Sequence, residues 1–122
     1  MPALRDGELT VWDSFAICQY LVEKYPQIPG WPKDLATRAI AYSVCAEMHS
    51  GFLNLRRELP LNCRAEALRV TLSADAEKEV ARVLQIWRDC RNKFGGKQPW
   101  LFGAFGIPDV FYAPVALRFK IY

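Results

Sequence analysis

Ala3-Leu4-Arg5-Asp6-Gly7-Glu8-Leu9-Thr10-Val11-Trp12, followed at once by Asp13-Ser14-Phe15-Ala16-Ile17-Cys18-Gln19-Tyr20-Leu21-Val22-Glu23-Lys24, is the stretch on which the architecture turns. Its first part reads as two short extended segments about Asp6-Gly7, a dipeptide that accepts positive φ at both centres of a type I′ turn. Asp13-Ser14 then offers side-chain oxygens to cap a helix whose apolar residues fall on nearly all sides. Such a helix is expected to lie between two layers. A two-stranded hairpin is not a stable sheet alone, and nothing after Trp12 reads as a strand. The hairpin therefore needs neighbours from another chain or from a longer sequence.

Working outward, Tyr25-Pro26-Gln27-Ile28-Pro29-Gly30-Trp31-Pro32 holds three prolines and one glycine and cannot continue the helix. It reads as a stiff linker over 26–33. From Asp34 as N-cap, Ile40, Val44, Met48, Phe52, Leu55 and Leu59 recur at steps of three and four, predicting one long helix that stops at Pro60. Ala76, Val80, Val83, Trp87, Cys90 and Phe94 predict a second, opened by Ser73 and stopped by Gly95-Gly96. Its acidic residues lie early and its basic ones late, as the helix dipole favours. A third is expected from Gly106-Ile107-Pro108-Asp109 to near Lys120, kinked at Pro114. The fold class is α+β and mostly α: a partial α/β unit over 1–25, the linker, and an all-helical unit over 34–122.

The 122 residues are 52% hydrophobic and 24% charged, which excludes disordered and fibrous chains. The net charge of +3 is too small to suggest a nucleic-acid partner. Cys18, Cys45, Cys63 and Cys90 form no close pair that could clamp zinc, and Cys45 with His49 at i, i+4 lacks a third ligand, so no metal is expected. They read as reduced thiols in or near the core. The residues from Met1 to Gly7 form no signal peptide, and no apolar run approaches a membrane span. A cytoplasmic protein with no membrane partner is the expectation.

Several segments in order resemble the cytosolic glutathione S-transferases. Met1-Pro2-Ala3-Leu4, the Asp-Gly turn and Trp12-Asp13-Ser14-Phe15-Ala16-Ile17-Cys18-Gln19-Tyr20-Leu21 are similar to the second half of that family's thioredoxin-like domain. Its pattern there is Val-Pro-x-Leu, an acidic residue and Ser, then Ala-Ile-x-x-Tyr-Leu. Arg38-Ala39, Ala46-Glu47-Met48-His49-Ser50-Gly51-Phe52, and Leu101-Phe102-Gly103 through Asp109-Val110-Phe111-Tyr112-Ala113-Pro114 look like the helical domain of bacterial members. The resemblance implies a chain shortened at its N-terminus, where the family carries the Tyr, Ser or Cys that contacts the glutathione sulfur, and also at its C-terminus.

The resemblance implies glutathione as ligand and substrate. The residue before a cis-proline, here Met1 before Pro2, would pair its backbone with the cysteinyl backbone of glutathione. Ser14, at a helix N-terminus, would take the γ-glutamyl carboxylate while Asp13 faces the α-ammonium; read without the family, the same pair is an ordinary N-cap. His49, the one histidine, would line the cleft near the thiol and is the candidate catalytic residue, although a lone histidine in sequence gives no Ser-His-Asp constellation. Asp109 would keep half of a capping box whose hydroxyl partner is replaced by Gly106, so a weaker cap is expected. The implied function is glutathione binding with conjugation of glutathione to electrophiles, in a homodimer. The alternative is a non-catalytic, truncated helical interaction or dimerisation module.

Overall fold

The computed structural model describes residues 2–65 and 68–122. Its elements are β1 (Ala3–Asp6), β2 (Leu9–Trp12), α1 (Ser14–Lys24), α2 (Leu35–Ser50), α3 (Leu53–Glu58), α4 (Ala74–Cys90), a π-helical turn (Arg91–Gly95) and α5 (Ile107–Ile121). Among the described residues a mostly helical chain thus carries one antiparallel hairpin, the α+β class that the sequence implies. Met1, among the expected ligand-binding residues, lies outside the described residues.

In the hairpin Ala3 pairs with Trp12 and Asp6 with Leu9, so the two loop residues are Gly7 and Glu8, one position later than expected. Gly7 takes φ +60° and Glu8 does not follow it there, the pattern of a type II′ turn rather than I′. Asp6 stays in the strand because its carboxylate accepts hydrogen bonds from Tyr20 Oη at 2.6 Å and from Lys24 Nζ, both on α1. The hairpin is thereby fastened along one side of α1. On the other side Phe15 packs edge-on against Phe111 of α5, with ring centroids 5.7 Å apart. Although α1 lies between two layers, none of its residues is fully buried, since two strands are too narrow to cover a helix.

The linker is pinned rather than merely stiff. The carbonyl of Gly30 accepts the N–H of Ile107 at 2.8 Å, joining the linker to the first turn of α5. A Cβ on Gly30 would collide with Val22 Cγ2 and lie 3.1 Å from Ile107 Cδ1. Only glycine lets α1, linker and α5 approach this closely.

The long helix expected from Asp34 to Pro60 is two helices. Gly51 is extended and Phe52 takes the left-handed conformation at φ +59°, which ends α2 and turns the Phe52 ring into the core at 7% exposure. Burial of a large aromatic ring offsets the left-handed strain of a non-glycine residue. The buried face of α2 is also rotated by one residue: Ala41, Val44, Cys45 and Met48 are inside while Ile40 is 42% exposed. Burial pushes the Cys45 thiol up to about 12 and that of Cys90 to about 11, so neither is a nucleophile at neutral pH.

With Phe52 at its N-cap, α3 has no side-chain cap of its own. Glu79 of α4 supplies one, accepting from Leu55 N–H at 2.7 Å and from Asn54 Nδ2 at 3.0 Å. In return Glu58 of α3 accepts from the backbone N–H and hydroxyl of Ser73 at 2.8 and 2.7 Å, and Ser73 caps α4 through the Ala76 N–H. Those bonds from Ser73 hold the Glu58 carboxyl below its ordinary range. Asp109 serves α5 similarly, with one oxygen 3.0 Å from Gly106 N and the other 3.0 Å from Leu101 N. The half capping box thus also anchors the loop before α5.

The core is one cluster built from Val44, Met48, Phe52 and Leu55 with Val83, Ile86, Cys90, Tyr112 and Val115. Tyr112 Oη donates to the Val44 carbonyl at 3.0 Å, which satisfies its buried hydroxyl and joins α5 to α2. Trp87, on the apolar stripe read from the sequence, packs at the margin of this cluster against Tyr112 and Phe119. The innermost large side chains are Leu55, Val83 and Val115. We expect Gly30→Ala to lower stability in urea unfolding by about 1–3 kcal/mol, as overpacking does. Adding Val22→Ala should recover part of the loss; a double variant no better than additive would show that the two residues do not meet.

Candidate functional site

Asp13 sits where the hairpin ends and α1 begins. Its backbone adopts φ +78°, unusual for a residue with a side chain, and its N–H donates to the Pro2 carbonyl at 3.2 Å. That bond holds the returning strand against the first one, and the turn aims the Asp13 carboxylate across the start of α1. Oδ1 accepts from Phe15 N–H at 2.9 Å and Ala16 N–H at 3.4 Å, the bonds of an N-cap. Oδ2 lies 2.7 Å from His49 Nε2 on the last turn of α2, 36 residues away. Burial raises the carboxyl pKa, but the Phe15 and Ala16 amides and the bond and charge of His49 outweigh it, so the net shift is downward.

An ionised carboxylate only accepts hydrogen bonds, so the proton in this pair belongs on His49 Nε2. In the neutral ring that leaves Nδ1 as an acceptor, and Ser14 Oγ lies 3.5 Å from it. The residues that sequence could not assemble into a constellation therefore form one, with carboxylate, imidazole and hydroxyl in a row. Phe15 and Phe111 flank the imidazole, with ring centroids 6.5 and 6.1 Å away, and fix its plane. His49 and Asp13 keep 37% and 31% of their side-chain surface accessible, so the row is open to a ligand.

Two cavities meet at this row. One is an open groove of about 600 Å³ between Thr10, Trp12, Asp13, Ala46 and His49. The other, of about 290 Å³, reaches from Ser14 and His49 to Cys18, Arg56, Phe111 and Arg118. Arg56 and Arg118 are the residues the sequence reading missed. The Arg56 guanidinium donates to the carbonyls of Met48 and His49, closing the C-terminus of α2 beneath the imidazole. Arg118 Nε donates to Leu59 O at 2.8 Å, and burial, with Arg56 nearby, pushes its pKa down. The signal that could have pointed to Arg56 is its cationic group soon after a helix end, where free carbonyls attract donors.

Of the expected site residues, Asp13, Ser14 and His49 come together, and Pro2 joins them through its carbonyl. Asp13 has both oxygens engaged inside the protein. Among the described residues no group of three or more His, Cys, Asp or Glu is placed to hold a metal ion. Nor is any helix there long and apolar enough to cross a membrane.

No family model matches the chain. It is 30% identical to glutathione S-transferase Z2 of Arabidopsis thaliana over 116 residues, covering 90% of this chain and 52% of that protein. It is 49% identical to glutathione S-transferase Z1 of the same plant over 51 residues, 42% of this chain and 23% of that one. Against the zeta-class glutathione S-transferase of Euphorbia esula it is 44% identical over 62 residues, 51% of this chain and 28% of the relative. The chain thus spans from about a quarter to about half the length of the curated relatives it matches. These relatives are plant proteins and do not mark out a bacterial branch. A hairpin feeding an Asp-capped helix, a mostly helical remainder and this run of identities lead to one conclusion: over the stretches they cover, the chain is homologous to glutathione S-transferases.

Proposed function

We propose that the chain binds glutathione at the N-terminus of α1 and that His49 acts on its thiol. The observation that carries this reading is the row Asp13, His49, Ser14 at the meeting of two cavities. The Ser14 hydroxyl and N–H, at the positive end of a helix, are suited to a carboxylate such as the γ-glutamyl end of glutathione. His49 Nδ1, kept as an acceptor by the Nε2–H bond to Asp13, is suited to take the thiol proton. The thiolate then attacks an electrophilic carbon, the carbon–halogen bond of an aryl halide breaks and halide leaves. On this reading residues 1–25 are part of a thioredoxin-like unit, 26–33 its linker and 34–122 the helical unit. Four free cysteines agree with a reducing, cytoplasmic setting.

A second reading, a non-catalytic module that self-associates, draws on a different observation. Asp13 is satisfied within the protein, and Leu9 and Trp12 leave 46% and 64% of their surface exposed on the hairpin. Apolar residues on an uncovered two-stranded edge invite a second copy.

Calorimetric titration of glutathione separates the readings, run beside conjugation to an aryl halide. Binding that weakens about tenfold or more in Ser14→Ala is expected, a loss typical of a hydrogen bond to a charged group. Slow turnover that His49→Ala removes without weakening binding is expected with it. Absence of heat at millimolar glutathione would dismiss the first reading, and binding with no turnover would leave the second.

The pH dependence of stability follows from Asp13. Its folded pKa is lowered, so its contribution is present above the ordinary carboxylate range and is lost as pH falls through the folded value. Acid unfolding curves of the chain and of Asp13→Asn should therefore converge at low pH and separate toward neutrality. Parallel curves would mean the carboxylate is not held by these bonds. Sedimentation at micromolar concentration should show a dimer that Trp12→Glu weakens; a monodisperse monomer would exclude self-association through the hairpin.

A further inference from the structure

The row Asp13, His49, Ser14 has a chemistry of its own that needs no glutathione. Ser14 is the first residue of α1, and the chain enters it through Asp13 at φ +78°, a bent strand-to-helix connection like those that expose nucleophiles in other folds. Its hydroxyl lies 3.5 Å from His49 Nδ1. Nucleophile–base pairs are commonly this loose before a substrate draws them together. The Asp13 carboxylate meets Nε2 at 2.7 Å and holds the proton there, which leaves the nitrogen toward Ser14 free to accept. The two ring nitrogens have exchanged the places they take in the serine protease triad, but each keeps its task.

An acyl-transfer site also needs donors for the oxygen that turns negative. The N–H groups at the start of α1 can be accounted for one by one. Asp13 donates to the Pro2 carbonyl, and Phe15 and Ala16 donate to Asp13 Oδ1, so the Ser14 N–H is left without an acceptor among the described residues. It lies at the positive end of the helix, on the same residue as the hydroxyl. A second unspent donor is Arg56 Nε–H, buried and with no acceptor among the described residues, while Nη2 of the same guanidinium holds the Met48 carbonyl. Ser14 and Arg56 line one cavity of about 290 Å³, whose apolar wall comes from Met48, Val110, Phe111 and Pro114. That space suits a short, uncharged acyl chain.

We propose that Ser14 is a nucleophile and that the chain cleaves short uncharged esters through an acyl-Ser14 intermediate, with His49 as base and Asp13 positioning His49. Ser14 Oγ attacks the ester carbonyl carbon as its proton passes to His49 Nδ1, and the carbonyl oxygen becomes an oxyanion facing the Ser14 N–H. The bond from that carbon to the alcohol oxygen then breaks, and the alcohol leaves with the proton. Water adds to the acyl carbon and gives a proton to Nδ1; the carbon–Oγ bond breaks, the acid departs and Oγ takes the proton back.

The test is 4-nitrophenyl butyrate with the full chain and no glutathione, followed by nitrophenol release and by tandem mass spectrometry of the acid-quenched protein. A burst of nitrophenol is expected, with the butyryl group on Ser14. Ser14→Ala and His49→Ala should each slow release about a hundredfold or more. Ser14→Cys should restore acylation, carried now by the thiol. Asp13→Asn keeps a good N-cap, yet should slow acylation about a hundredfold and move the imidazole ¹⁵N signals of His49 from the Nε2–H form toward the Nδ1–H form. A role confined to capping would leave those signals unmoved. No adduct at Ser14, a butyryl group on Cys18 or a lysine instead, or release that Ser14→Ala retains would overturn the proposal. Because glutathione is absent throughout, a chain that binds glutathione yet forms no adduct fails this proposal alone.

Discussion

The Asp13 carboxylate has two oxygens and three obligations, and the arrangement of the molecule depends on their being met together. One oxygen ends the exposed N–H groups of α1, the other holds the imidazole at the end of α2, and the backbone that aims them is bent into a sparsely populated conformation. The groups are a third or so accessible, so water and salt screen much of the Coulomb attraction. What the carboxylate contributes is geometry. It decides where the hairpin stops and at what angle α1 leaves it. It also decides which edge of the imidazole faces outward.

The same device recurs along the chain. Helices α3 and α5 begin at Phe52 and Gly106, neither of which has a side-chain acceptor, and in each case a carboxylate from elsewhere supplies it. For α5 the donor of that help is three residues on, a local solution. For α3 it is Glu79, 24 residues beyond the Leu55 amide that it accepts from. Both places free the N-cap position for another purpose: Phe52 turns its ring into the core, and a bare Gly106 backbone passes close to the Gly30 carbonyl.

Much of this was legible in the sequence wherever the decisive contact was local. The hairpin, the apolar helix after Asp13-Ser14, the proline-bearing linker and the α4 stripe each follow from neighbours within a few residues. The break at Gly51-Phe52 was not legible, since the steps from Met48 to Phe52 to Leu55 remain helical in spacing while the backbone is not. The reward for leaving the helix, burial of a ring and a cap from Glu79, comes from distant residues. The turn register failed similarly: Asp-Gly favours one turn locally, but Asp6 is claimed by Tyr20 and Lys24. At the site, Asp13, Ser14 and His49 could be named singly, whereas their contact, and the part of Arg56 and Arg118 beneath it, exists only once α2 and α5 are packed.

Glu79 and Glu58 exchange acceptors between α3 and α4, each helix holding the other's first turn. A helix of six residues has too few internal bonds to persist alone. If α4 drifts, α3 loses its acceptor; if α3 melts, Ser73 loses the carboxylate that positions it. Reciprocal capping of this kind couples the two, so their amides should exchange with solvent at one shared free energy rather than by fraying helix by helix. The short helix thus carries the lifetime of the long one.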